Sequence, residues 1–452
     1  MVNCYCISGD IRLATEVLAE RMVAREPNRY KFVETVSYFL YAVGPLVGNA
    51  VLALLGAIAT DFTVNPTAVL IAFPAFMLPF ASFQLFSGAI SDVYGRIPVM
   101  LSGLVAFAIG LSVTAYATSL GIFVLGNVIC GVGFAFVNPV VIALLTDSAA
   151  SENIPKRMGI VSAMASLSAG LGPFIAGQML VLGWRSYYLM FLLIVLIGLI
   201  SVSVAGHPPR RSHESRGLRA FIDNLTAELK RPLVILMACV TFLVSLVYLG
   251  TLVWTSRALV GAVDPIHLGI LLLAAGTAGA TAGSLLGPLA RRHGFGLPIG
   301  LGFLTLFGGL SLLILIGDIA QASLVPFVGL SLAAVGWAGG TLFPAMTTYS
   351  QMVSPTRRGV LAGVVTFGFF LGAALVPTLF GPLFQIGISA VYIGMLGVSA
   401  ILMLLFAGLY RKLERVRSVS AQGPLSVRSP QPRDELHSET SSEPSRVPED
   451  RA

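Results

Sequence analysis

With 452 residues, 56% of them hydrophobic and 11% charged, the chain carries less than half the roughly 25% charged content of an ordinary soluble domain. Its polar residues bunch into short clusters between long apolar runs, which excludes a water-soluble surface and leaves no room for an aqueous domain. The formal net charge of +7 sits in those clusters without interleaved aromatics, so it reports topology and attraction to anionic lipid, and nucleic acid is not an expected partner.

In chain order, residues 1–36 mix acids and bases without an early apolar core and read as a cytosolic segment, not a cleavable signal. Cys4 and Cys6 lie there, while Cys130 and Cys239 fall inside apolar runs, where a thiol behaves as a small hydrophobe; neither a disulfide nor a metal site is expected. A helix rising about 1.5 Å per residue needs roughly 20 apolar residues to cross a hydrocarbon core of about 30 Å. Six such runs, near 38–59, 68–90, 97–117, 120–146, 157–182 and 186–206, make an N-terminal half of residues 37–206. The polar interval 207–231 reads as a cytosolic linker with one interfacial helix from Leu218 to Leu229. Six further runs, near 232–254, 265–290, 297–317, 322–348, 357–381 and 384–409, make a C-terminal half of residues 232–410. In the eighth run Gly279, Gly283 and Gly287 are spaced by four and share a face, a pattern that lets helix backbones approach closely in lipid. Residues 411–452, rich in Ser, Pro, Glu and Arg, read as a disordered cytosolic tail.

The fold class is therefore an all-α membrane protein of twelve transmembrane helices. Basic residues crowd the loops on the side of the two tails, among them Arg96, Lys156, Arg157, Arg210, Arg211, Arg291, Arg292, Arg357 and Arg358, whereas the opposite loops hold Arg185 and Arg257. By the positive-inside rule both termini are cytosolic. The halves echo one another: Pro155-Lys156-Arg157-Met158-Gly159 opens the fifth run as Pro355-Thr356-Arg357-Arg358-Gly359 opens the eleventh, and Gly88 to Gly95 is echoed by Gly287 to Gly294. Two repeated six-helix halves are the plan on which a central alternating-access site is built.

The loop after the second run reads Gly88-Ala89-Ile90-Ser91-Asp92-Val93-Tyr94-Gly95-Arg96. Here Gly88 permits close helix contact, Gly95 makes the reversal, and Asp92 sets a carboxylate at the membrane boundary. The run resembles the loop signature of the major facilitator superfamily, Gly-x-x-x-Asp-x-x-Gly-Arg. The resemblance implies the major facilitator fold of two pseudo-symmetric halves. It also implies that Asp92 faces the N-terminus of the eleventh helix, whose dipole favours a carboxylate by roughly 0.3–1 kcal/mol. Arg96 is expected to pair with Asp147, giving a conformational latch that forms in one state and breaks in the other. The second-half copy departs from the signature, with Arg291 in the place of Asp92 and Gly296 near that of Arg96.

The fifth run carries Gly159, Ser168, Gly172-Pro173 and Ala176-Gly177. It is similar to the antiporter signature of the drug:proton antiporter branch, with Ser168 and Ala176 in place of two glycines, and Gly183-Trp184-Arg185 resembles the same branch. That likeness implies efflux, although Gly and Pro here also serve plain helix packing. Many members carry an arginine four residues before a fourth-helix glycine; here Asn127 stands before Gly131. No Asp, Glu, Lys, Arg or His lies well inside a run: Asp61, Asp264 and Asp318 sit at outer ends and Glu34 at an inner one. Protons as coupling ion, carried by Asp61 or Glu34, and plain facilitated diffusion both stay open.

The lining of a central cavity must then be neutral. Candidates by depth are Asn49, Gln84, Asn127 and Asn138 in the first half and Tyr248, Trp337, Tyr349 and Gln351 in the second, residue types that also make interhelical hydrogen bonds. Such a lining suits an uncharged or amphipathic solute and offers no counter-charge to a polyanion. The expected protein is a secondary transporter of the cell membrane. It works as a monomer without cofactor or metal and exports a small organic or drug-like molecule. An uptake permease or uniporter for a sugar or metabolite is the alternative. A lipid-modifying membrane enzyme is the rival from another class, but its histidines, at 207, 213, 267, 293 and 437, pair with no acids at a metal-ligand spacing.

Overall fold

The computed structural model describes residues 5–147, 154–205, 218–317, 322–353 and 358–421. Among them fourteen α-helices follow in order: α1 Tyr5–Asp61, α2 Pro66–Val69, α3 Ala72–Tyr94, α4 Arg96–Ala115, α5 Leu120–Asp147, α6 Ile154–Met179, α7 Trp184–Ala205, α8 Leu218–Leu229, α9 Pro232–Leu259, α10 Pro265–His293, α11 Gly296–Ile316, α12 Val325–Val353, α13 Arg358–Ile386 and α14 Ile388–Ala421. Among the described residues they supply 12 segments long and apolar enough to cross a membrane, from Glu34–Asp61 to Ile388–Lys412. The second segment is built from α2 and α3 together. Pro74, in the first turn of α3, has no N–H to give the carbonyl of Leu70, and the helix breaks there.

Two elements outrun the expected boundaries. Helix α1 begins well ahead of its span, in the stretch read as an N-terminal segment, where Ala, Leu, Glu and Arg are strong helix formers. Helix α14 continues to Ala421, through the Tyr410-Arg411-Lys412-Leu413-Glu414-Arg415 run, into what was expected to be a disordered tail. The rest of that tail lies outside the described residues.

The linker helix α8 matches its expected bounds, but it does more than lie on a lipid surface. Leu225 packs with Val234 of α9 and Leu361 and Val364 of α13, with Phe221 beside them. The Phe221 ring also meets Phe86 of α3 edge-on at 6.4 Å. Glu228 is 1% exposed and pairs with Arg231 at 2.9 Å.

Each half packs on itself through α4 against α5 and α1 against α6, and through α10 against α12 and α9 against α13. The halves meet along two seams, α6 against α10 and α3 against α13. Matching glycines underline their relation: Gly95 and Gly294 close α3 and α10 with φ of 98° and 75°, a region that disfavours other residues. Their N–H groups donate to the carbonyls of Ser91 and Ala290, each at 3.0 Å. The α6–α10 seam is made by absent side chains. A Cβ on Gly170 would fall 2.8 Å from the Leu272 carbonyl oxygen, and one on Gly276 would fall 2.8 Å from the Gly170 Cα. On α10 the close approaches are therefore at Gly269, Gly276 and Gly279. Of the expected stripe, Gly279 meets a neighbouring backbone, at Gly336 of α12, whereas Gly287 meets, among the described residues, the Arg291 side chain.

Candidate functional site

On the side of the termini, the turn after α3 places Asp92 and Arg96 one helical turn apart, and they pair at 2.8 Å. Arg96 also donates to Ser91 Oγ at 2.7 Å. The expected partner Asp147 ends α5, and its side chain lies outside the described residues, as does that of Arg358, which opens α13. At Gly88 the close helix contact expected from the sequence is not made: a Cβ there would meet nothing among the described residues within 4 Å. Nearby, Arg157 of α6 pairs with Glu34 of α1 at 2.9 Å and donates to the Leu145 carbonyl of α5 at 2.9 Å, tying three helices of the first half.

On the opposite side, Arg185 at the start of α7 pairs with Asp61 of α1 at 2.8 Å and donates to the Ala117 carbonyl at 2.9 Å. Its guanidinium lies 4.3 Å from the Trp184 ring centroid, a cation–π stack that fixes its direction. Here the halves are joined. Arg257 of α9 donates through Nε to Thr67 Oγ1 at 2.7 Å and through Nη2 to Asn65 Oδ1 at 3.3 Å, across from its own half to the α1–α3 connection. Phe384 of α13 lies under the same guanidinium at 5.4 Å. Asn65 is held for this by capping α2, its Oδ1 accepting from the Thr67 N–H at 2.8 Å. A Cβ on Gly56 of α1 would stand 3.2 Å from Val260. By sequence Arg257 is only one of the sparse outer charges; a lone cation among apolar residues, with an Asn-Pro cap in the facing half, is the signal that could have found it.

Between the two sides, the eight lining candidates divide. Asn49 and Asn127 are buried, and each donates its amide to the carbonyl four residues earlier on its own helix, Pro45 and Phe123, both at 2.9 Å. Gln84 of α3 and Asn138 of α5 are 8% and 9% exposed, and Gln84 Nε2 and Asn138 Oδ1 are enclosed without a hydrogen-bond partner among the described residues. The buried Tyr248 ring lies on Gly339 of α12, where a Cβ would fall 2.7 Å away. Trp337 faces the other way, toward Leu285, Leu289 and Leu301 of α10 and α11. Tyr349 stacks with Phe295 at 5.0 Å, at the termini end of the second half, and Gln351 is exposed beside it. Thus Gln84 and Asn138 share one region, Tyr248 stands at the α9–α12 contact, and Trp337, Tyr349 and Gln351 lie apart from them.

The fifth-span residues divide between the first half's own packing and the α6–α10 seam. Ser168 and Ala176 are buried, Gly172 abuts the Leu46 carbonyl of α1, and a Cβ on Gly177 would fall 2.5 Å from the Pro265 carbonyl oxygen at the start of α10. Pro173 lies inside α6 and withdraws one backbone donor at this level. Gly159 lies in the first two turns of α6, and its surroundings are outside the described residues. Among the described residues no group of three His, Cys, Asp or Glu could hold a metal ion.

Two six-helix halves, a termini-side loop of this form and a fifth helix seated against the opposite half define a membrane transporter. The sequence model of the Major Facilitator Superfamily matches residues 37–335 and 262–441, and the chain belongs to that family. It is therefore a multi-pass protein of the cell membrane. Among its relatives, the uncharacterized MFS-type transporter YceJ of Bacillus subtilis is 28% identical over 75% of this chain and 86% of its own length. The drug efflux pump JefA of Mycobacterium tuberculosis is 25% identical over 76% of this chain and 78% of its own. The multidrug resistance protein MdtL of Klebsiella pneumoniae is 27% identical over 41% of this chain and 50% of its own. A crystal structure of a mutant of the nucleoside transporter NupG superposes with a TM-score of 0.70 at 12% identity over 84% of this chain and 100% of that one, a likeness of fold.

Proposed function

We propose that this transporter exports a small organic or drug-like solute from the cytosol by alternating access, as a monomer whose termini are cytosolic. The observation that carries the mechanism is the asymmetry of the half-to-half contacts. Both seams bring bare backbone against bare backbone or ring against ring, while the polar grip of Arg257 on Thr67 and Asn65 lies only two residues from the end of its span. Packed seams guide rocking, and a short-range polar contact at one end can form and break with it. The direction is supported by the fifth-span residues and by relatives named for drug efflux and multidrug resistance. Cells that express the chain should tolerate higher concentrations of some uncharged aromatic antibiotics or dyes than cells expressing an Asp92→Asn, Arg257→Ala double variant. Equal tolerance across a broad panel, with the protein present in the membrane, would refute export.

One observation favours the second reading, an uptake permease or uniporter for a metabolite. Residues 72–91, 120–146, 325–353 and 359–386 contain no ionisable side chain other than Tyr349 and Cys130, so the midplane offers no evident proton carrier. If protons drive export, the carriers are at the span ends: Glu34, bound to Arg157, or Asp61, bound to Arg185.

A further inference from the structure

At mid-depth, aromatic rings run without a gap from one half to the other. Phe134 of α5 lies 5.2 Å from Phe80 of α3, and Phe80 meets Phe370 of α13 edge-on at 4.6 Å. Phe370 lies 5.4 Å from its neighbour Phe369, which lies 4.1 Å from Phe343 of α12. Four helices are thus joined by one layer. Helices α3, α5 and α12 run toward the side of the termini and α13 away from it, so one turn toward the termini from these rings come Gln84, Asn138, Thr347 and Thr366. The two threonines give their hydroxyl protons to their own helices, to Pro344 at 2.9 Å and Ala362 at 2.7 Å, and keep acceptor lone pairs. One end of each amide is unsatisfied among the described residues: Gln84 Nε2 and Asn138 Oδ1 are both enclosed and unbonded there, in residues more than nine-tenths buried. Each enclosed group without a partner costs free energy until one arrives.

We propose that Gln84 and Asn138 are a paired reader of the amide edge of the transported solute: an uncharged, planar, aromatic molecule with a carbonyl beside an N–H. This rests on the transport reading above and names its substrate class. Gln84 donates from Nε2 to the solute carbonyl, and Asn138 accepts at Oδ1 from the solute N–H. Turning both amides about their terminal bonds exchanges donor and acceptor between the two sites, and the pair again offers one of each. The phenylalanine layer above takes the ring by offset or edge contact. With no charged side chain in the four flanking stretches, an anion or a permanent cation would enter uncompensated, whereas a neutral amide meets both orphaned atoms.

The test uses a matched pair of probes, benzanilide and phenyl benzoate, which differ by N–H against ester oxygen, binding to the full chain in lipid nanodiscs. The wild-type protein should bind the amide at least about tenfold more tightly than the ester. Gln84→Leu and Asn138→Leu should each bring the two probes within about twofold. They should leave the ligand-free unfolding temperature unchanged or raised, because they remove a buried group that had no partner. Equal binding of both probes to the wild type, or binding of neither, would overturn the proposal without need of any variant. So would variants that keep the discrimination but lower the ligand-free unfolding temperature, a result that assigns the amides to bonds between helices. Dye tolerance of expressing cells, measured alongside, tells a failure of this proposal from a failure of the export reading.

Discussion

Replacing Arg257 by alanine removes the guanidinium that joins the halves opposite the termini. Its 2.7 Å bond to Thr67 Oγ1 is short and charge-assisted, while the 3.3 Å bond to Asn65 Oδ1 is long and adds little. A charge-assisted hydrogen bond contributes about 1.5–3 kcal/mol when well buried, but Arg257 is partly exposed, so about 1 kcal/mol is the part lost on opening. The stack on Phe384 belongs to the same half and persists in both states, so it drops out of the difference. About 1 kcal/mol changes a two-state ratio about fivefold. The assay is a spin-label distance measurement between Val181 and Ile386, which are 80% and 78% exposed at the outer ends of the fifth and eleventh spans, on a background without native cysteines. The open, long-distance population should rise about fivefold in Arg257→Ala, and by the same amount in Thr67→Ala, with the double variant adding nothing further. An unchanged distance distribution in a folded Arg257→Ala protein would refute the outer latch.

Asp92→Asn should leave insertion intact and alter transport kinetics, because it removes the 2.8 Å pair with Arg96 at the loop expected to latch the other side; unaltered kinetics would count against that latch. Gly276→Val should lower the unfolding temperature, since its side chain would meet the Gly170 Cα at 2.8 Å and the Ser166 carbonyl at 3.0 Å, an overpacking worth about 1–3 kcal/mol, whereas Gly300→Ala, into open space, should leave it unchanged. Asn127→Ala should change transport without changing topology, and a neutral outcome would remove Asn127 from the lining.

The spans could be read from the sequence because lipid demands a nearly unbroken apolar run, and that demand is stronger than any propensity. Leu218–Leu229 was readable for the opposite reason: at the interface one face must stay polar, and the alternation shows. Inside the bilayer both faces of a helix are apolar, so the pattern does not say which face meets a neighbour. Trp337 and Gly339 illustrate this, two residues apart on α12 yet turned to α10–α11 and to Tyr248 respectively. Depth alone grouped Asn49 and Asn127 with Gln84 and Asn138, and it took the structure to show that the first two bond to their own helix. The extension of α1 was missed because a polar, helix-forming segment has no membrane signature. Arg257 was missed because its partners, Asn65 and Thr67, lie far away in sequence.

Everted membrane vesicles from expressing cells, given a panel of dyes and uncharged aromatic solutes, test export most directly. The account predicts accumulation inside the vesicles above the outside concentration, and loss of that accumulation when the proton gradient is collapsed would direct attention to Glu34 and Asp61 as carriers. Uptake that only equilibrates, and ignores the gradient, would contradict export and make the protein a facilitator.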